Sequence, residues 1–189
     1  MYELIILSFL RRWPMHGYVM VKIINDMIGP FAKASIGRLY PLLTKLEGEG
    51  LIVVADDTPG GQARDRRQRT YQITEAGRAR FHQLMMDTTS NPGEYSKFFW
   101  QKVMFLDLLT PNERLYLLDH YLTYCQAHIF HVRGQMDELT RDVARQQFMD
   151  PTQLDVTLRA MEHYLEHWRL ELAQAQSWRE RVAATAPAP

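Results

Sequence analysis

The chain has 189 residues, 46% of them hydrophobic, enough to bury packed cores and too many for a disordered polymer. Its 22 Lys and Arg balance 22 Asp and Glu, which excludes a protein that holds nucleic acid by bulk charge alone, and its one cysteine, Cys125, excludes an intramolecular disulfide framework. The opening MYELIILSFLRRWP carries its basic pair after the apolar run, unlike a secretory leader, and no stretch approaches the roughly 18 apolar residues that cross a bilayer, so a cytoplasmic protein without membrane contact is expected.

Charge is unevenly spread. Residues 1–80 hold 12 Lys and Arg against 8 Asp and Glu, and the remainder is correspondingly acidic. A basic head on an acidic tail points to a head that meets phosphate.

In chain order, Leu4, Ile5, Leu7 and Leu10 fall at helical spacings before Pro14 ends the first segment. A second segment, His16 to Ile28, continues the period through Val19, Ile23 and Met27 and breaks at Gly29-Pro30. A third opens at Ser35, a good N-cap, and closes at Gly48 to Gly50. Leu51 to Ala55 is β-branched and apolar, residues 56–65 are rich in turn formers, and Thr70 to Thr74 alternates, which predicts a hairpin. Thr74 then caps a fourth helix to about Met86. Three helices, a two-stranded wing and a further helix make a winged helix-turn-helix.

The polar segment Thr88 to Glu94 is the expected domain boundary. The organisation read from the chain is a DNA-binding domain over 1–87, a linker over 88–96, a helical dimerisation and effector domain over 97–183 and a flexible tail over 184–189. In the tail domain Thr110-Pro111-Asn112-Glu113 is a capping box with proline at the first helical position. It leads into a seam of Leu115, Leu118, Leu122, Cys125, Ile129, Val132, Met136, Leu139 and Val143. Asp150-Pro151-Thr152-Gln153 repeats the device ahead of Leu154, Leu158, Met161, Leu165, Trp168, Leu172 and Ala175. Spacings of three and four in both runs predict an antiparallel coiled-coil hairpin, too thin to bury its own apolar area without a partner. The fold class is therefore mainly α, with a small β wing.

The third helix is the candidate recognition helix, its first turn entering the major groove. Ser35 and Arg38 reach base edges or phosphate, Gly37 permits close backbone approach, and Tyr40 and Lys45 are candidate phosphate contacts. The wing carries Arg64, Arg66, Arg67 and Arg69 within six residues, a run whose self-repulsion a DNA backbone relieves. Pro41 removes one helical amide, and a local bend is expected there.

Four motif segments carry a family resemblance. Met15-His16-Gly17-Tyr18, then Gly37-Arg38-Leu39-Tyr40-Pro41-Leu42-Leu43-Thr44-Lys45-Leu46-Glu47 with Gly50-Leu51-Ile52, and later Tyr71-Gln72-Ile73-Thr74-Glu75-Ala76-Gly77, closely resemble the signature of the PadR family over residues 1 to about 85. The two-helix tail is similar to that family's larger branch. The resemblance implies a homodimer that binds palindromic operator DNA, commonly a repressor relieved by a small aromatic effector such as a phenolic acid. The family often has proline and a small hydroxyl residue around the glycine of this helix, where Ile36 and Arg38 stand here, so individual base contacts are not carried over. The resemblance also implies that the first helix helps cover the partner's tail, through Leu4, Leu7 and Leu10.

For the effector, aromatic clusters are the candidate walls: Tyr95, Phe98, Phe99, Trp100 and Phe105 after the linker, and Trp13, His16, Tyr18 and Phe31 in the first domain, with His16 or Lys102 for a carboxylate. Domain packing is the competing role for each. His163-Tyr164-Leu165-Glu166-His167 matches the inverted zinc-peptidase pattern, but Leu165 and Trp168 take the seam and turn both histidines outward. Cys125, His128 and His131 are the remaining metal-ligand types. No catalytic residue, cofactor or metal is expected, and the alternative reading is a winged-helix protein-interaction module without DNA binding.

Overall fold

Helix α1 (Tyr2–Arg12) buries Leu4, Ile5, Ile6, Leu7 and Leu10, a face too wide for a single contact. It packs accordingly on three elements, α2 (Gly17–Ile28), β3 (Thr70–Ile73) and α4 (Glu75–Met86). The computed structural model describes residues 2–28, 36–55, 69–90, 92–142 and 150–185. Leu4, Leu7 and Leu10 lie within the core of their own chain, so they are internal rather than intersubunit contacts.

Strand β1 (Met15–His16) is one element that sequence patterning missed, because two residues are too few to alternate. His16 belongs to this strand and not to the helix that follows. The sheet order is β1-β3-β2, with β2 at Ile52–Val54, and both pairings are antiparallel. Met15 lies opposite Tyr71 and Val54 opposite Tyr71 on its other side, so β3 is the central strand. Helix α3 (Ile36–Gly48) places Leu39, Leu43 and Leu46 in the same core as Met20 and Ile24 of α2. Helix, helix, helix and hairpin in this order form the winged helix-turn-helix.

Helix α3 ends in a Schellman motif: Gly50 N–H donates to Glu47 O at 3.0 Å and Leu51 N–H to Leu46 O at 2.9 Å, with Gly50 at φ 69°. Thr74 caps α4, its hydroxyl accepting from Gly77 N–H at 3.0 Å. Helix α3 runs through Pro41. The carbonyl left without an amide belongs to exposed Gly37, where water can satisfy it.

The polar segment after α4 folds back rather than crossing to a second domain. Asp87 accepts from the amides of Thr89 and Ser90, a turn at Pro92–Glu94 follows, and α5 (Tyr95–Val103) buries Tyr95, Phe99 and Val103. The chain divides into compact units at Met1–Phe105 and Leu106–Pro189, so the division falls later than the expected linker at 88–96 and α5 belongs to the first unit. Phe105 holds that end, its ring edge-on to Phe9 at 5.4 Å.

In the second unit, Thr110 and Glu113 form the complete capping box that starts α6 (Pro111–Arg141). Helix α7 (Pro151–Thr185) returns beside it and continues two residues into the segment expected to be flexible from residue 184. Asp119 pairs with Arg179, Tyr121 with Glu171, and His128 with Trp168, so one helix ascends as the other descends: the hairpin is antiparallel. Ile129, Val132 and Leu165 are its buried centre, flanked by Met136, Met161, Trp168 and Leu172. The seam is as expected from Cys125 to Leu139. Nearer the start of α6 it shifts, with Leu117, Leu118 and Tyr121 buried while Leu115 and Leu122 are half-buried. Val143 lies outside the described residues.

Candidate nucleic-acid interface and ligand cavity

The buried face of α3 leaves an opposite face with exposed Gly37, Pro41, Thr44 and Lys45. Among the described side chains of that face Lys45 is the cation, 65% exposed and 3.7 Å from Glu49, a pair too exposed to hold it firmly. Tyr40 is half-buried and packs on α2: a Cβ added to Gly17 would lie 3.2 Å from its ring. The ring thus sets the approach of α3 to the start of α2. Ser35 and the side chain of Arg38 lie outside the described residues.

The hairpin connection holds Arg64, Arg66 and Arg67, which also lie outside the described residues. Arg69 stands at the base of the wing, not at its tip. It is half-buried next to β3, and its carbonyl accepts from Gly17 N–H at 3.3 Å. Wing and helix-turn-helix are therefore tied through backbone at this point.

The expected effector residues divide into separate places. Trp13 and Tyr18 are more than half exposed, and His16 stacks on Tyr18 while its Nδ1 lies 3.0 Å from the Thr70 hydroxyl. Phe105 is buried packing, and Phe31 lies outside the described residues. Phe98 and Lys102 do share a cavity. It measures about 130 Å³ and is lined by Leu4, Leu84, Asp87, Thr88, Ser90, Tyr95, Phe98 and Lys102, all in the first unit. Sequence reasoning found two of these side chains as effector candidates and Tyr95 as a wall. Asp87, Thr88 and Ser90 escaped because a polar run next to proline and glycine reads as a linker.

Electrostatics in this corner are set by hydrogen bonds and burial. Donation from Ser90 and Thr89 holds the Asp87 carboxyl down at about 2. Burial brings the Lys102 amine down to about 8, opposed by the charge of Asp87. Lys102 donates to the backbone carbonyl of Asp87.

In the second unit, His163 and His167 are exposed and Leu165 is buried, as the seam requires. His128 lies flat on Trp168 at 3.9 Å, and burial, with His131 nearby, lowers its pKa. Burial and the neighbouring Glu171 charge push the Cys125 thiol up to about 12, leaving it protonated in the core. Among the described residues, no group of three or more His, Cys, Asp or Glu side chains is arranged to hold a metal ion. No described helix is long and apolar enough to cross a membrane.

The family model described as "Transcriptional regulator PadR-like family" matches residues 6–83. The negative transcriptional regulator PadR of Bacillus subtilis is 25% identical over 146 residues, which cover 77% of this chain and 79% of that one. Solved structures similar in fold include Bacillus subtilis PadR in complex with operator DNA, at 21% identity and TM-score 0.40, covering 95% of this chain and 96% of that one. The same protein in complex with p-coumaric acid gives 22% identity and TM-score 0.39, over 96% and 98%. The Vibrio cholerae virulence activator AphA gives 20% identity and TM-score 0.39, over 98% and 100%. Residues 6–83, which run from within α1 through most of α4, thus match the PadR-like family of transcriptional regulators.

Proposed function

We propose that the chain is a homodimeric repressor that binds a palindromic operator through α3 and the wing of each copy and is released by a small aromatic effector such as a phenolic acid. The observation that carries this reading is an outward face on α3, with Gly37 and Lys45 exposed, on a helix anchored by three buried leucines beside the hairpin. In this reading the first unit binds DNA and the second pairs the copies. Ser35, Gly37, Arg38, Tyr40 and Lys45 form the groove-facing set, and Arg64, Arg66, Arg67 and Arg69 the wing set. Exposed Tyr116 and Phe130 on α6 and Leu170 on α7 supply apolar area for the partner copy.

The test is a titration of the protein against DNA upstream of its own and neighbouring genes at several salt concentrations. The expected result is tight binding to one palindromic site, with half-sites about one helical turn apart. Each phosphate contact contributes about 0.9 to the slope of log affinity against log salt, so replacing Arg66 and Arg67 by alanine flattens the slope by nearly two. An unchanged slope overturns the wing assignment. Binding at only nonspecific strength favours a protein-interaction module.

A further inference from the structure

The start of α2 is a junction between the wing and α3. Gly17, the first residue of α2, is buried: its N–H donates to the carbonyl of Arg69 at the wing base, and the Tyr40 ring of α3 stands over it, 3.2 Å from where a Cβ would lie. The bond to Arg69, at 3.3 Å, is long for an amide donor, and the β1–β3 ladder beside it is two residues long. Backbone alone therefore holds Arg69 weakly against α2. A side-chain bond reinforces it: His16 lies directly across the ladder from Thr70, and its Nδ1 is 3.0 Å from the Thr70 hydroxyl. Thr70 is held from the β2 side by Ala55 N–H, which donates to its carbonyl at 2.8 Å, and the His16 ring stacks on Tyr18 at 5.7 Å. Arg69 is half-buried, so the direction in which its guanidinium leaves the surface follows from the setting of its backbone.

We infer that His16 is a positioning residue for the DNA-binding surface: through Thr70 it sets Arg69 against α2 and α3, so that the guanidinium meets a phosphate of the operator while α3 lies in the groove. The inference deepens the repressor reading and rests on it. Arg69 supplies the charge, and His16 acts through Thr70 without touching DNA. With the side-chain bond gone, the short ladder at the sheet edge no longer fixes Arg69, and ordering it is left to the moment of binding, at a cost in affinity. The chemistry is specific to one side of the ring. Asparagine places its amide where Nδ1 of His16 stands, whereas glutamine places its amide where Nε2 stands and leaves Thr70 without a partner there. At position 70, serine keeps the hydroxyl and valine removes it at nearly the same shape.

Titration of the full chain against its operator at several salt concentrations, alongside Arg69→Ala, His16→Gln, His16→Asn, Thr70→Val and Thr70→Ser, tests the inference. Arg69→Ala is expected to flatten the slope of log affinity against log salt by about 0.9, the share of one phosphate contact. His16→Gln and Thr70→Val are expected to flatten it equally, and His16→Asn and Thr70→Ser to keep it. His16→Gln combined with Arg69→Ala is expected to lose no more than Arg69→Ala alone, because both remove the same contact. Helix content, read by circular dichroism, is expected to stay unchanged throughout. If His16→Gln does not fold, Thr70→Val against Thr70→Ser decides. An unchanged slope in His16→Gln and Thr70→Val makes the pair structural only and overturns the inference, even where the urea midpoint falls. Losses that add to that of Arg69→Ala, or an unchanged slope in Arg69→Ala itself, overturn it as well. The unaltered chain separates the two readings. If it binds no site above nonspecific strength, the repressor reading falls and this inference with it, whereas specific binding with unmoved slopes in the variants overturns the inference alone.

Discussion

Gly77 has no room for a side chain: a Cβ there would stand 2.0 Å from the Leu51 carbonyl oxygen and 2.7 Å from Ile73. The crowding follows from Thr74, which caps α4 while its amide donates to that same carbonyl at 3.1 Å. Gly77→Ala is therefore expected to destabilise the first unit by about 3 kcal/mol, the upper end for overpacking a fixed neighbour, read as a lower urea midpoint at unchanged slope. Asp87 makes a prediction about acid. Its carboxyl is depressed from 3.8 to about 2, so its contribution is fully present above the ordinary value and is lost as pH falls from about 4 towards 2. Asp87→Asn is expected to be less stable than the unaltered chain at neutral pH, and the gap measured by thermal melts is expected to close in that acid window. The sequence marked Gly77 as part of a motif, but the carbonyl that requires it is 26 residues away. Likewise Tyr40 was legible as polar and aromatic, while its packing on Gly17 is a fact of the fold.

At the scale of elements, the capping box and the seam of the second unit were both readable, because each is a local pattern on a helix. Thr110→Ala removes the hydroxyl that accepts from Glu113 N–H and is expected to cost about 1 kcal/mol. Leu165 is the α7 member of the buried centre, and Leu165→Ala is expected to cost about 3 kcal/mol through the cavity it leaves. Denaturant melts followed by the fluorescence of Trp168, which packs on that centre, check both. Near the start of α6 the local pattern misled. Tyr121 displaces leucine at the interface because its hydroxyl donates to Glu171 at 2.5 Å, and burial and that carboxylate raise its pKa, keeping it a donor. Periodicity counts apolar residues and is blind to a tyrosine whose polar end is satisfied by the facing helix. Strand β1 was missed for a related reason, since its two residues acquire a strand's hydrogen bonds only from β3.

For the whole molecule, the proposed dimer places a demand on surfaces that the single chain leaves open. Phe130 is 81% exposed on α6, and in a paired second unit its burial is worth about 1.5 kcal/mol or more. Phe130→Lys is expected to raise the dimer dissociation constant at least tenfold in sedimentation equilibrium while leaving the helix content unchanged. Helix order, the β2–β3 hairpin strands and the caps at Thr74 and Thr110 were legible in residues close together in the chain, where the backbone's local preferences and turn chemistry act. The division after Phe105, the central position of β3 and the cavity at Lys102 were decided by tertiary structure alone. Each depends on residues far apart in the chain: Phe9 packs on Phe105, β1 and β2 both pair with β3, and Leu4 lines the same cavity as Lys102, none of which a local pattern encodes.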